Sequence, residues 1–113
     1  MDLVRAIGYL IFCLLAFGQG VAADDVFVEI ILQNHIFSPS EVHVPAGQKV
    51  ILVIHNLDPT VEEFDSPALK REKLLRSNGV TRVILAPLTP GRYDFVGEFY
   101  QETAKGAVIV EEK

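Results

Sequence analysis

Two short segments of this chain combine carboxylates with aromatic side chains. The segment EEF begins at Glu62, and the segment GEFY ends at Tyr100. Carboxylate and phenol oxygens are ligands that suit iron and manganese. If the fold brings the two segments together, Glu98 meets either Glu62 or Glu63 beside Tyr100, and the group binds a divalent metal. The alternative is that these carboxylates are solvated, as is common in a chain with 15 acidic residues.

The chain has three histidines, at His35, His43 and His55. No two of them have the i, i+4 or short-loop spacing of a local metal site. His43 alternates with valines on both sides and is expected to face solvent. His35 is the best metal-ligand candidate of the three, because it opens the first loop. The alternative for each histidine is a purely structural role.

A basic cluster within this acidic chain is a candidate docking patch. It is formed by Lys70, Arg71, Lys73 and Arg76. Such a patch fits an acidic partner or anionic lipid headgroups. The alternative is an ordinary solvated surface.

Composition excludes several function classes. The formal net charge of −5 makes nucleic-acid binding unfavourable. Cys13 is the only cysteine, so neither a disulfide nor a zinc–cysteine site can form within one chain. The sequence shows neither a Ser-His-Asp set nor a Gly-rich phosphate loop, so no motif indicates a hydrolase or a transferase.

The first 23 residues are typical of a secretory signal peptide. Arg5 precedes an apolar run, Gly18-Gln19-Gly20 interrupts that run, and small residues end at Ala23. A membrane anchor would need about 20 continuous apolar residues. The sequence therefore predicts a cleaved signal over 1–23, a single domain over 24–113, and export to the periplasm.

The predicted domain is written mainly in strand patterns. Short apolar or alternating segments recur from Val26 to Val110, with turn signals at Asn78-Gly79 and Pro90-Gly91 between them. This spacing predicts an all-β, antiparallel Greek-key sandwich. Ser66-Pro67 followed by good helix formers predicts a short helical insertion around 66–73.

The order of these motifs resembles that of a cupredoxin. Four motifs occur in the same order as in that family: FSPS from Phe37, EVHVPAG from Glu41, a strand that ends at Asn56, and GRYDF from Gly91. The resemblance covers most of residues 26–112. It implies a cupredoxin-like sandwich.

The copper ligands of that family do not carry over. A type 1 copper site uses two histidines, a cysteine and usually a methionine. The corresponding places in this chain hold Glu62, Gly97, Tyr100 and, approximately, Ala104. Type 1 copper is therefore not expected.

One subgroup of cupredoxin-like proteins resembles this chain further. These are small periplasmic proteins associated with bacterial ferrous-iron uptake, and they share the Glu-Glu-Phe and Gly-Glu-Phe motifs. Tyr100 departs from the histidine usual in that pattern. The resemblance implies an accessory role in iron acquisition, through binding or oxidation of Fe(II), with an iron permease or a periplasmic iron-binding protein as its partner.

Two functions therefore remain open at the level of sequence. The first is the iron-uptake accessory, with Glu62, Glu63, Glu98, Tyr100 and His35 as its candidate metal ligands. The second is a metal-free scaffold that docks a membrane or periplasmic partner through the basic cluster. In both, membrane contact is expected only through a partner.

Overall fold

The computed structural model describes residues 25–112, which form nine strands and one 3-10 turn. The strands are β1 Val26–Gln33, β2 Ile36–Ser38, β3 Glu41–Pro45, β4 Val50–Asn56, β5 Glu62–Ser66, β6 Arg71–Leu75, β7 Gly79–Leu85, β8 Gly91–Gly97 and β9 Lys105–Glu111. The 3-10 turn spans Glu98–Tyr100, directly after β8. The predicted cleavage site at Ala23 lies outside the described residues.

The strands form two sheets that pack face to face. One sheet has five strands in the order β3-β9-β8-β5-β6, and the other has four in the order β2-β1-β4-β7. The predicted all-β sandwich is confirmed. Two of the strand pairs, β9 with β3 and β1 with β4, are parallel, and the remaining pairs are antiparallel.

Alternating residues on the inner faces of both sheets build one core. Its centre is aromatic: Phe95 lies edge-on to Phe37 at 5.2 Å between ring centroids and stacks on Phe64 at 4.9 Å. Ile54 of the central strand β4 is completely buried beside them. Because strand side chains alternate between faces, each buried residue has neighbours that point to the outer surface.

The predicted helix around 66–73 is wrong, because a β-hairpin occupies these residues. The Ser66 hydroxyl does accept a hydrogen bond from the Leu69 amide (3.0 Å), as a helix N-cap would. The turn closes at once, however, with Lys70 at φ 58° and its amide bonded to the Pro67 carbonyl. Residues from Arg71 then pair with β5, so cross-strand pairing overrides the local helix propensity.

Within the described part of the chain, no helix has the length and apolar character needed to span a membrane.

Candidate functional site

Asn56, at the end of β4, fixes the loop that leads to the candidate site. Its side-chain nitrogen donates to the carbonyls of Thr60 (2.9 Å), Leu75 (3.3 Å) and Arg76 (3.2 Å). Its oxygen accepts from the amide of Asp58 (2.9 Å). The residue is only 1% exposed, so these bonds replace the water that a buried amide loses.

Asp58 in turn fixes the first loop of the chain. Its two carboxylate oxygens accept from the amides of Asn34 (2.7 Å) and His35 (3.0 Å). Both of these residues have positive φ, at 54° and 59°, which is costly for residues with side chains. The hydrogen bonds to Asp58 therefore hold a conformation that the loop does not favour by itself.

This loop presents His35 to Tyr100. The two rings stack with their centroids 3.5 Å apart and their planes 14° from parallel. The Nδ1 atom of His35 lies 3.6 Å from Asp58 Oδ2. Two of the predicted site residues are thus brought together by stacking.

Glu62 is buried, with 2% of its surface exposed. Its Oε1 atom accepts from the amides of Glu63 (2.8 Å) and Phe99 (2.7 Å), so it joins β5 to the 3-10 turn. Its Oε2 atom is buried and has no hydrogen-bond partner within residues 25–112. Glu62 points inward while Glu63 points outward, as the strand periodicity predicts.

Gly97 stands at the position of the copper-binding cysteine of the family. The Glu62 carboxylate fills the space that a side chain at this position would need. A Cβ atom on Gly97 would lie 2.6 Å from Oε2 of Glu62 and 2.8 Å from Cβ of Ala104. Residues 25–112 contain no cysteine, and Ala104 offers no ligand atom. The residues present therefore do not fit a type 1 copper ion.

Copper(II) added to this protein is expected to give no intense blue absorption. That band needs a copper–thiolate bond, and Cys13 is the only thiol of the chain. The measurement is the visible spectrum of the full chain carrying Cys13→Ser, titrated with Cu(II). An intense band in that variant would contradict the assignment of the ligand positions.

Glu98, in the 3-10 turn after β8, lies near acidic side chains of the β5–β6 hairpin. The neighbouring Asp65 side chain, through a hydrogen bond, together with desolvation and the charges of Asp65, Glu63 and Glu72, raises the pKa of Glu98 above its usual range. Asp65 and Glu72 are direct cross-strand partners in the hairpin. We call Glu63, Asp65, Glu72 and Glu98 the acidic quartet.

The predicted metal ligands therefore lie in three places. Glu98 and Glu63 belong to the acidic quartet, Glu62 is buried between the sheets, and His35 stacks on Tyr100. Glu98 does not meet Glu62 as a ligand pair, although the amide next to it binds that carboxylate. Among the described residues, no three His, Cys, Asp or Glu side chains form a group that could hold a metal ion.

The other two histidines pair with carboxylates on the surface. His43 Nδ1 lies 2.9 Å from Glu111 Oε2, and His55 Nε2 lies 2.6 Å from Glu29 Oε1. His43 is exposed, as expected for its place in an alternating strand.

The four residues of the basic cluster lie at the β5–β6 hairpin and just beyond it. Arg71 donates to the carbonyls of Ile84 (2.9 Å) and Lys70 (2.9 Å), and so bonds the edge strand β7 of the other sheet. Lys73 and Arg71 line a groove between β6 and β7. Arg76 follows β6 and is exposed.

Sequence reasoning missed Asp65, Glu72 and Asp58. The hairpin register places Asp65 opposite Glu72, whereas the predicted helix assigned Glu72 to a different element. An alternation of Glu63 with Asp65 was visible and would have indicated a shared face. No local signal indicated that Asp58 would bond a loop 23 and 24 residues earlier.

Comparison with known proteins gives consistent results. Residues 6–110 match the family described as "Cupredoxin-like domain". The protein RP394 of Rickettsia prowazekii (strain Madrid E) is 47% identical over 83 residues, which are 74% of this chain and 66% of that protein.

Two solved structures share the fold at low sequence identity. The Cu(I)-bound metal-binding domain of the Cu(I)-exporting P-type ATPase CopA of Streptococcus pneumoniae D39 has a TM-score of 0.70 at 16% identity, over 78% of this chain and 87% of its own. Auracyanin A, a "blue" copper protein of Chloroflexus aurantiacus, has a TM-score of 0.66 at 17% identity, over 77% and 99% respectively. The family match covers nearly the whole chain, and the two-sheet sandwich agrees with it: the protein belongs to the cupredoxin-like domain family.

Proposed function

We propose that this protein is an exported accessory of iron acquisition whose acidic quartet attracts Fe(II) weakly, as cargo, although the described side chains do not form a preformed metal site. The observation that carries the proposal is the crowding of carboxylates at the β5–β6 hairpin, where Asp65 is the direct cross-strand partner of Glu72 and neighbouring acidic side chains raise the pKa of Glu98. The Glu-Glu-Phe and Gly-Glu-Phe motifs support an iron-related role by resemblance.

Crowded carboxylates favour a cation on electrostatic grounds. The neighbouring Asp65 carboxylate and the charges of Glu63 and Glu72 raise the pKa of Glu98. A divalent cation can reduce the repulsion from Glu63 and Glu72. Oxygen ligands of this kind suit Fe(II) and Mn(II) better than they suit copper(I).

The quartet is suited to transient binding. Its members are exposed or half-buried, so water and salt compete with their charges. Weak binding is an advantage for a protein that transfers iron to a permease or takes it from an iron-binding protein, because release must be fast. We propose the permease and the iron-binding protein as partners of this chain.

Binding of Fe(II) to the protein is expected to weaken about tenfold in Glu98→Gln and in Glu63→Gln, because each removes one charged oxygen ligand. Anaerobic titration calorimetry with Fe(II), and separately with Mn(II), measures this. Affinity should also fall as the pH is lowered through the raised pKa of Glu98, because the proton then competes with the metal.

Two matched variants make this test specific. Glu102→Gln removes an exposed carboxylate outside the quartet, and Glu62→Gln changes the inward neighbour of Glu63. Both should bind metal as the parent does. If the parent binds neither metal, or if the quartet variants bind as tightly as these controls, the carboxylate site does not exist.

A metal-free interaction module is the second candidate function. A groove between β6 and β7 favours it, because its lining has three cationic side chains and one carboxylate: Arg71, Lys73, Arg82 and Glu72. Such a groove suits an acidic periplasmic partner. Absence of Fe(II) and Mn(II) binding would make this the leading function, with Lys73→Glu as the first variant for partner capture.

A further inference from the structure

The outer face of the four-stranded sheet is apolar although it is exposed. Strand register aligns Phe27, Ile51 and Ile84 in one row across β1, β4 and β7. Phe27 is 57% exposed and Ile84 is 50% exposed. These side chains stand on one face because the residues that alternate with them, such as Ile30, point into the core.

A second row lies farther along the same strands. It contains Ile31, His55 and Val80, of which Val80 is 60% exposed. Ile36 of β2 extends the apolar surface beyond β1 and is 51% exposed. Exposed apolar rows of this kind on a folded domain indicate an interaction site.

Between these rows lies one row with opposite charges at its two sides. Glu29 and Arg82 flank Val53, which is 8% exposed on the central strand. Arg82 forms no salt bridge within residues 25–112. The only such partner of Glu29 in that range is His55. The face therefore presents one carboxylate and one guanidinium, placed symmetrically about β4.

We propose that this face binds a second copy of this chain across a twofold axis that runs along β4. Such an axis lies in the plane of the interface, so it places strand β1 of one copy opposite strand β7 of the other. Glu29 of each copy then faces Arg82 of the other, so the contact contains two equivalent ion pairs. The apolar rows match as well, with Phe27 against Ile84 of the second copy.

Charge complementarity selects this axis over its alternative. A twofold axis perpendicular to the strands would bring Glu29 against Glu29 and Arg82 against Arg82. Like charges at an interface are costly, so that arrangement is disfavoured. Either axis keeps the strands of the two copies nearly aligned, which is the usual geometry of stacked sheets, so the charges decide between them.

The size of the face limits the surface area that the dimer can bury. The three long strands, of seven or eight residues each, cover roughly 14 by 23 Å at ordinary strand spacing, and the short strand β2 adds to one edge. That is at the low end for a specific protein interface, so we expect a reversible dimer with a dissociation constant on the order of micromolar. A closed twofold contact also covers the face without leading to fibres.

Sedimentation equilibrium of the exported protein over a concentration series tests the proposal. Glu29→Arg and Arg82→Glu should each raise the dimer dissociation constant about tenfold or more, because each places like charges opposite one another. The double variant carrying both changes should restore dimerisation, because the pairs are re-formed with their signs exchanged.

Controls separate this face from the rest of the surface. Ile84→Ser should weaken the dimer, whereas Leu74→Ser, at a similarly exposed apolar residue of the five-stranded sheet, should leave it unchanged. Glu102→Arg, with the same charge change as Glu29→Arg, should also have no effect.

Three results would overturn the proposal. The parent could remain monomeric at about a hundredfold above the micromolar range. The single charge variants could dimerise as well as the parent, which would favour the other axis or another surface. Finally, a monomer that binds phosphatidylglycerol vesicles through this face, losing that binding in Ile84→Ser, would assign the face to a membrane.

Discussion

Replacing Asn56 with alanine is expected to lower the free energy of unfolding by about 3–5 kcal/mol. The change deletes four hydrogen bonds at a residue that is 1% exposed. It leaves the Leu75 carbonyl without its side-chain donor in a place where water has little access. Unsatisfied buried polar groups lose their solvation without compensation, which is why the effect exceeds that of an ordinary hydrogen bond.

Urea unfolding of the parent and of two further variants checks this expectation. Asn56→Asp keeps the shape but places a carboxylate against three carbonyl oxygens, so it should be at least as destabilising as alanine. Gln101→Ala removes an exposed amide with one long bond of 3.4 Å and should change stability by about 0.5 kcal/mol or less. A loss of under about 1 kcal/mol in Asn56→Ala would contradict the network.

The same network explains why the strand-ending asparagine matters for the site. Asn56 orients the amide of Asp58, and Asp58 holds the loop that stacks His35 on Tyr100. The asparagine also bonds the end of β6, the strand that carries Glu72 of the acidic quartet. One buried amide thus connects the two exposed parts of the candidate site.

The sandwich could be predicted from sequence because its signals are local. Alternating or continuous apolar segments separated by turn residues specify strands, and their order resembles that of a known family. The helical insertion failed for the same local reason. Ser66 and Pro67 form a valid N-cap, but the burial of Leu69 and the pairing of Arg71 with Ser66 favour a hairpin.

The candidate site was less predictable because it depends on register. Opposite faces for Glu62 and Glu63 follow from strand periodicity, but periodicity does not say which one is buried. A carboxylate is rarely fully buried, so the strand pattern alone does not predict that Glu62 points inside. Asp65 and Glu72 come together only through the hairpin that the predicted helix replaced.

Replacing Gly97 with alanine is expected to destabilise the fold by about 2–4 kcal/mol. The backbone at this residue is extended, with φ −91° and ψ 114°, so alanine causes no backbone strain. The cost is steric, because the new methyl group would lie 2.6 Å from the Glu62 carboxylate and 2.8 Å from the Ala104 methyl group. Thermal and urea unfolding measure it.

Gly47→Ala is the matched control for this substitution. Gly47 has φ 78°, but a methyl group there would have no atom within 4 Å, so the cost should be about 1 kcal/mol, from backbone strain alone. If Gly97→Ala is no more destabilising than Gly47→Ala, the carboxylate does not fill the space beside Gly97.

A double-mutant cycle identifies the group that causes the strain. In the Glu62→Ala background, Gly97→Ala should cost at least about 1 kcal/mol less than in the parent, because the carboxylate contact is gone. Additive effects would instead assign the strain to Ala104. The cycle also bears on the copper chemistry of the family: a cysteine at residue 97 begins with the same Cβ atom. We therefore expect that a single Gly97→Cys substitution does not rebuild a copper thiolate centre while Glu62 stays in place.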